Sequence, residues 1–157
     1  MKHKTIPALV LTLALTLSAS SALAYDSAAP EAARTMSAGA SESFVIDGNG
    51  TLWAWGDNQW GQLGDGTTED RSRPVRVLEG VRSVSAGESH TYAVLEDNTL
   101  WAWGRNVSNA FPGADDLISS PVPLNIMDDV ASVSTGVCTH LAVKTDGSLW
   151  AWGKYIG

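Results

Sequence analysis

The chain has 157 residues, 44% hydrophobic and 17% charged, with 15 glycines, 7 tryptophans and one cysteine, a composition that is globular and not fibrous or disordered. Ten Lys and Arg against 17 Asp and Glu give a formal charge of -7, which repels phosphate backbones, so nucleic acid is not an expected partner. Cys138 alone can close no intramolecular disulfide and no thiolate zinc cage, and no metal or cofactor is expected.

Residues 1–24 read as a secretory signal peptide, expected as a helix before cleavage. Lys2 and Lys4 precede an apolar run from Ile6 to Leu17, and Ala22-Leu23-Ala24 supplies a small-residue cleavage site. An uncleaved anchor is the rival, but Pro7 and several Ser and Thr interrupt the ~20 strongly apolar residues a spanning helix needs. Cleavage after Ala24 removes two lysines and no acid, so eight basic residues face 17 acidic ones and the charge becomes -9. The expected location is secreted, periplasmic or cell-surface, without stable membrane insertion. Residues 25–35 have no apolar period and read as a linker.

From residue 36 the chain repeats. Leu-Trp-Ala-Trp-Gly stands at 52–56, 100–104 and 149–153, each copy preceded at a constant interval by Met36-Ser37-Ala38-Gly39, Val84-Ser85-Ala86-Gly87 or Val133-Ser134-Thr135-Gly136. Such a period marks a propeller or solenoid, in which one unit buries its face against the next. Within a period the alternation is two-residue, so strands are expected. His90–Leu95 and Thr99–Trp103 read as a hairpin across Glu96-Asp97-Asn98, as do Leu141–Lys144 and Ser148–Trp152 across Thr145-Asp146-Gly147. A second pair is expected between Pro74–Leu78 and Val81–Val84 across Glu79-Gly80, matched by Pro123–Met127 and Val130–Val133 across Asp128-Asp129. The fold class is therefore all-β, a partial β-propeller of four-stranded blades. Its repeats are expected at 36–83, 84–132 and a truncated 133–157, amounting to two blades plus a hairpin and ten strands.

Gly87-Glu88-Ser89-His90-Thr91-Tyr92-Ala93-Val94, Asp97 to Gly104 and the loop Gly56-Asp57-Asn58-Gln59-Trp60-Gly61-Gln62-Leu63-Gly64 resemble the repeat of the regulator-of-chromosome-condensation family. The resemblance implies a seven-bladed propeller that serves as a protein-interaction platform. Its eukaryotic namesake exchanges guanine nucleotide on a small GTPase and docks on nucleosomes, and exported relatives resemble bacterial surface or secreted proteins, some of them enzyme inhibitors. Two departures stand out. Asn106 to Gly113 replaces the Gly-Gln-Leu-Gly loop, and Glu42-Ser43-Phe44 stands where His90-Thr91-Tyr92 is found in the next repeat.

Closing a ring takes ~4 to 8 blades, so this set of repeats is expected to be a piece of a longer protein, with assembly from several copies as the alternative. Open blades would expose a Trp-rich face at each end and unpaired sheet edges suited to self-association.

The paired tryptophans Trp53/Trp55, Trp101/Trp103 and Trp150/Trp152 share one strand face and are expected to pack between blades, with a stacking platform for ligands as the alternative. His90 and His140 lack a catalytic partner in the spacing and are expected to hydrogen-bond backbone; Cys138 is expected to pack. Asp97, Asp128, Asp129 and Asp146 read as turn residues. No catalytic residue is assigned and no enzymatic activity is expected. The candidate contact residues for a protein partner are Asn58, Trp60, Gln62 and Asp65, on the Gly-rich loop. The leading expectation is an exported, non-enzymatic interaction module. The alternatives are an inhibitor of a secreted or periplasmic enzyme, steered by acidic charge, and a nucleotide exchange factor, which the export segment disfavours.

Overall fold

A computed structural model describes residues 33–107, 109–114 and 116–154; the expected signal segment lies outside the described residues. The strands in chain order are β1 (Thr35–Ala38), β2 (Glu42–Ile46), β3 (Leu52–Gly56), β4 (Arg71–Leu78), β5 (Val81–Ala86), β6 (His90–Leu95), β7 (Leu100–Arg105), β8 (Ser119–Met127), β9 (Val130–Thr135), β10 (Thr139–Lys144) and β11 (Leu149–Gly153). They form antiparallel meanders β1-β2-β3-β4, β5-β6-β7-β8 and β9-β10-β11, which are two four-stranded blades and one of three strands. The Leu-Trp-Ala-Trp-Gly segments are β3 and β11 and open β7, and the hairpins preceding them form as expected.

The pairing expected across Glu79-Gly80 does not form. β4 and β5 belong to different sheets, so the count is eleven described strands instead of ten, and the first repeat supplies a whole blade. The two-residue link is a crossover from the outer strand of one blade to the inner strand of the next. It is fastened to the hairpin turns of both: Val81 N–H donates to the Gly50 carbonyl at 2.9 Å, and Glu96 N–H to the Gly80 carbonyl at 2.9 Å. The next crossover repeats this, Val130 to Asn98 at 2.7 Å and Thr145 to Asp129 at 2.7 Å. Gly80 (φ 68°) and Asp129 (φ 60°) supply the left-handed residue each crossover requires.

The inner strands β1, β5 and β9 are neighbours across blades. Ser37 Oγ accepts the Ala86 N–H and Ser85 Oγ accepts the Thr135 N–H, each at 3.2 Å, so one serine per repeat clasps the following blade.

Blade faces stack through two apolar layers. Phe44, Ile46, Leu52, Ala54 and Leu63 meet Val81, Ala93, Trp101 and Trp103 in the first. Tyr92, Val94, Leu100, Ala102 and Phe111 meet Val130, Val133, Ala142 and Trp152 in the second. Leu52 and Leu100 have no exposed surface, a burial that contributes about 1.5–3 kcal/mol each. Each blade thus turns its indoles back toward the preceding blade and its aliphatic side forward. A Trp-rich face at both ends is consequently not what is found: the forward side of the third blade is aliphatic, with Leu141, Val143 and Leu149 exposed. Trp150 stays half exposed, beneath the Lys144 ammonium at 5.4 Å.

Candidate functional site

The loop between β3 and β4 lies on the seam between the first two blades, and Asn58 is its organiser. The Asn58 side chain is completely buried. Its amide donates toward Asp65 Oδ1 (3.2 Å), the Thr67 carbonyl (3.1 Å) and the Glu69 carbonyl (3.0 Å), while its carbonyl accepts the Leu63 N–H at 3.0 Å. One side chain therefore supplies backbone groups of a loop that has no ladder of its own. Gln62 is equally buried, donating to Asp57 Oδ2 at 3.0 Å and accepting the Trp60 N–H at 2.9 Å. The Gln62 carbonyl receives the Trp103 indole N–H at 2.8 Å and the Thr91 hydroxyl at 2.9 Å, which ties the loop to the second blade.

Asp65 accepts Arg71 Nε at 2.6 Å and the Thr67 N–H and hydroxyl at 2.9 and 2.7 Å. Burial works to raise its carboxyl, but the hydrogen bonds from Thr67 and Arg71 outweigh it and hold the group below the usual carboxylate range. Asn58, Gln62 and Asp65, taken from sequence as contact residues, are thus engaged inside the loop, where their polar atoms hold its shape. Polar composition could not reveal this, because the bonds close within and across the loop.

Trp60 differs. It is half-buried at the loop tip, and the Arg105 guanidinium from the end of β7 lies 4.2 Å from its ring centroid, a cation–π contact. Arg105 was not singled out by sequence reasoning; its only sequence mark is a cation immediately after Leu-Trp-Ala-Trp-Gly. The pair presents an aromatic plane and a positive charge, flanked by exposed Gln59, on a loop whose interior is fully bonded.

The second blade keeps the same device despite its different sequence. Asn106 donates to the Ala114 and Leu117 carbonyls, both at 2.8 Å, and accepts the Phe111 N–H at 2.9 Å. The Ala110 carbonyl receives the Trp152 indole N–H at 3.0 Å, as Gln62 receives that of Trp103.

The histidines meet at the seam between the second and third blades. Both are buried, and both bond the Thr135 hydroxyl, His90 Nε2 at 2.9 Å and His140 Nδ1 at 2.7 Å, instead of the backbone groups expected. Thr135 Oγ1 donates to the Gly136 carbonyl at 3.1 Å. Assigning both imidazoles as neutral donors satisfies all three contacts and leaves His140 Nε2 a buried lone pair without a partner. Burial pushes both imidazoles down to about 4, with the neighbouring His90 adding to the effect on His140. Asp97 and Asp146 accept N–H and hydroxyl groups within their turns, as expected. Among the described residues, no group of three or more His, Cys, Asp or Glu is placed to hold a metal ion.

Models of the regulator of chromosome condensation (RCC1) repeat match residues 49–94 and 81–109. Residues 49–109 carry RCC1-type repeats. Among solved structures, the yeast RCC1 protein Prp20 in complex with Kap60 is 25% identical with a TM-score of 0.66, covering 77% of this chain and 32% of its own. Prp20p of Saccharomyces cerevisiae, described with its binding properties to Gsp1p and histones, is 27% identical with a TM-score of 0.67, over 77% of this chain and 33% of its own. Human WBSCR16 shares the fold at 21% identity and a TM-score of 0.72, over 78% and 33%. The RCC1-repeat chain thus spans about a third of the length of these structures. A search of curated proteins found no match.

Proposed function

We propose that this RCC1-repeat chain is an exported, non-enzymatic module that binds another protein through the tip of the β3–β4 loop, with Trp60 and Arg105 as the contact pair. The observation that carries the reading is the partly open indole and guanidinium standing on a loop whose Asn58, Gln62 and Asp65 side chains are occupied internally. Trp and Arg are the side chains that most often dominate protein interfaces, and a rigid support lowers the entropy lost on binding. The likeness to Prp20, a structure bound to Kap60, supports a protein as the kind of partner.

The test places a photo-crosslinking residue at exposed Gln59 in the full chain and recovers the attached protein from the producing cell's exported fraction. Trp60→Ala and Arg105→Ala are expected to lose the adduct with the thermal melt unchanged; undiminished capture by both variants sinks the reading. Export is tested on the same material, since the mature chain is expected to begin at Tyr25. An intact residue 1 on the working protein contradicts it.

A further inference from the structure

We propose that the partner held at Trp60 and Arg105 offers them a single side-chain carboxylate, from Asp or Glu, beside a bulky apolar side chain that settles on Ile118 and Val122. The proposal rests on the interaction role given to that pair and adds the chemistry of what is bound. Three segments supply the four residues: the β3–β4 loop, the end of β7, and the chain that enters β8. The Ile118 carbonyl accepts the Asn106 N–H at 2.8 Å, next to Arg105, which pairs with Ser119 across the β7–β8 ladder. Pro121 lies against Gly61, where a Cβ would fall 2.5 Å from the Pro121 Cα, and its carbonyl accepts the Gly66 N–H at 2.9 Å. The loop is thus seated on the start of β8, where Ile118 and Val122 are exposed by 75% and 45%. All four residues belong to the first two blades, at their connecting loops and away from the faces through which blades stack.

Charge decides what accompanies the apolar part. Arg34, Arg71 and Arg76 each pair with a carboxylate, and Arg82 spends its donors on Asn98 and the Val130 and Ala131 carbonyls. Arg105 has no carboxylate within 4 Å among the described residues; it is held by the Trp60 ring, a contact that consumes none of its N–H donors. A guanidinium in that state fits a carboxylate bidentately. The backbone amides of Asn58, Gln59, Trp60 and Gly61 are all bonded within the loop, so it has no nest of free amides there to capture a chain terminus or a phosphate. The carboxylate that fits is therefore a side chain's. Seventeen acids against ten bases repel segments of dense negative charge, which limits the ligand to one carboxylate and leaves the rest of the contact to apolar surface.

The test selects a library of random segments, displayed as closed loops without a free terminus, against the full chain. Binders are expected to carry Asp or Glu close to Leu, Ile, Met or Phe. Changing that acid to its amide, or Arg105→Lys in the chain, is expected to weaken binding roughly tenfold or more, because lysine keeps the charge but not the planar fork. Ile118→Ser and Val122→Ser are expected to weaken it several-fold with the thermal melt unchanged. A selection that yields no acid-bearing binder weakened by Arg105→Lys overturns the proposal. So do binders indifferent to both serine variants, or a preference for the same segment bearing phosphoserine or ending in a free carboxylate. The crosslink from Gln59 separates this outcome from failure of the site itself. Capture undiminished by Trp60→Ala and Arg105→Ala means that the site is elsewhere. Capture lost in both variants, from a partner segment that binds equally well with its acids changed to amides, means that the site stands and the carboxylate does not.

Discussion

His90 and His140 meet edge to face, ring centroids 4.9 Å apart, and share the single hydroxyl of Thr135 across the seam between the second and third blades. Both are depressed by burial from 6.5 to about 4, so between those values the unfolded chain holds protons that the folded one does not. Stability is then complete above about pH 6.5 and is lost as pH falls toward 4. Glu42 acts with the opposite sign. Burial raises its carboxyl from 4.5 to about 6, so the folded state holds the extra proton there and one of the two histidine contributions is offset between 4.5 and 6. Urea melts followed by tryptophan fluorescence from pH 8 to pH 4 are expected to show this fall. The double variant His90→Gln/His140→Gln, which keeps hydrogen-bonding capacity but cannot titrate, is expected to flatten it; an unchanged profile refutes the assignment.

Glu42 opens β2 as His90 opens β6, and Ala86 stands in β5 where Thr135 stands in β9. The hydroxyl that serves His90 therefore has no counterpart for Glu42. Glu42 Oε2 accepts the Ser41 N–H at 3.0 Å, whereas Oε1 is buried without a partner. Ala86→Thr is expected to supply that donor and to raise stability by about 1 kcal/mol at pH 8, the net worth of one hydrogen bond. Glu42→Gln removes the buried carboxylate and is expected to stabilise at pH 8 but not at pH 4, since Glu42 is already protonated there. Denaturation midpoints at the two pH values check both, and a destabilised Ala86→Thr protein contradicts the correspondence of the two seams.

The strand pattern was legible because side-chain alternation and the Leu-Trp-Ala-Trp-Gly copies mark β3, β7 and β11 directly. The blade boundary was not. Glu79-Gly80 and Asp128-Asp129 have the composition of a hairpin turn, and the hydrogen bonds that make them crossovers run to Gly50 and Asn98, some thirty residues upstream. The histidine pair was hidden for a related reason. His140 is one residue out of step with His90, and the displacement makes sense only when Thr135 is seen to lie between them. At the loop, Trp60 stands out in the sequence by its position, while Arg105 comes from another blade and adjacency in sequence gives no sign that the two meet.

Gly64 and Gly113 each lie in the loop that follows a Leu-Trp-Ala-Trp-Gly strand and have nearly the same backbone, φ 79° and 80°, but different surroundings. A Cβ on Gly64 falls 2.7 Å from Trp103 Nε1, whereas one on Gly113 meets nothing within 4 Å. Alanine at either site bears the left-handed strain of roughly 1–2 kcal/mol. Only Gly64→Ala also drives the buried indole away from the Gln62 carbonyl. Gly113→Ala is expected to lose about 1 kcal/mol and Gly64→Ala about 3 kcal/mol or more, by urea denaturation. Equal losses count against the Trp103 tether.

Asn58→Ala strips the β3–β4 loop of its internal donor and acceptor at once, leaving the Leu63 N–H and the Thr67 and Glu69 carbonyls without that partner. Asn106→Ala does the same to the Phe111 N–H and the Ala114 and Leu117 carbonyls of the second blade. Each is expected to cost about 2–4 kcal/mol, the range for breaking a buried hydrogen-bond network. Their effects on binding should differ, because only the first loop carries Trp60. Asn58→Ala is expected to abolish the crosslink from Gln59 under conditions where the chain remains folded. Asn106→Ala, on the same measurement, is expected to leave it in place. Equal loss from both variants means that binding follows overall stability and not the shape of the first loop.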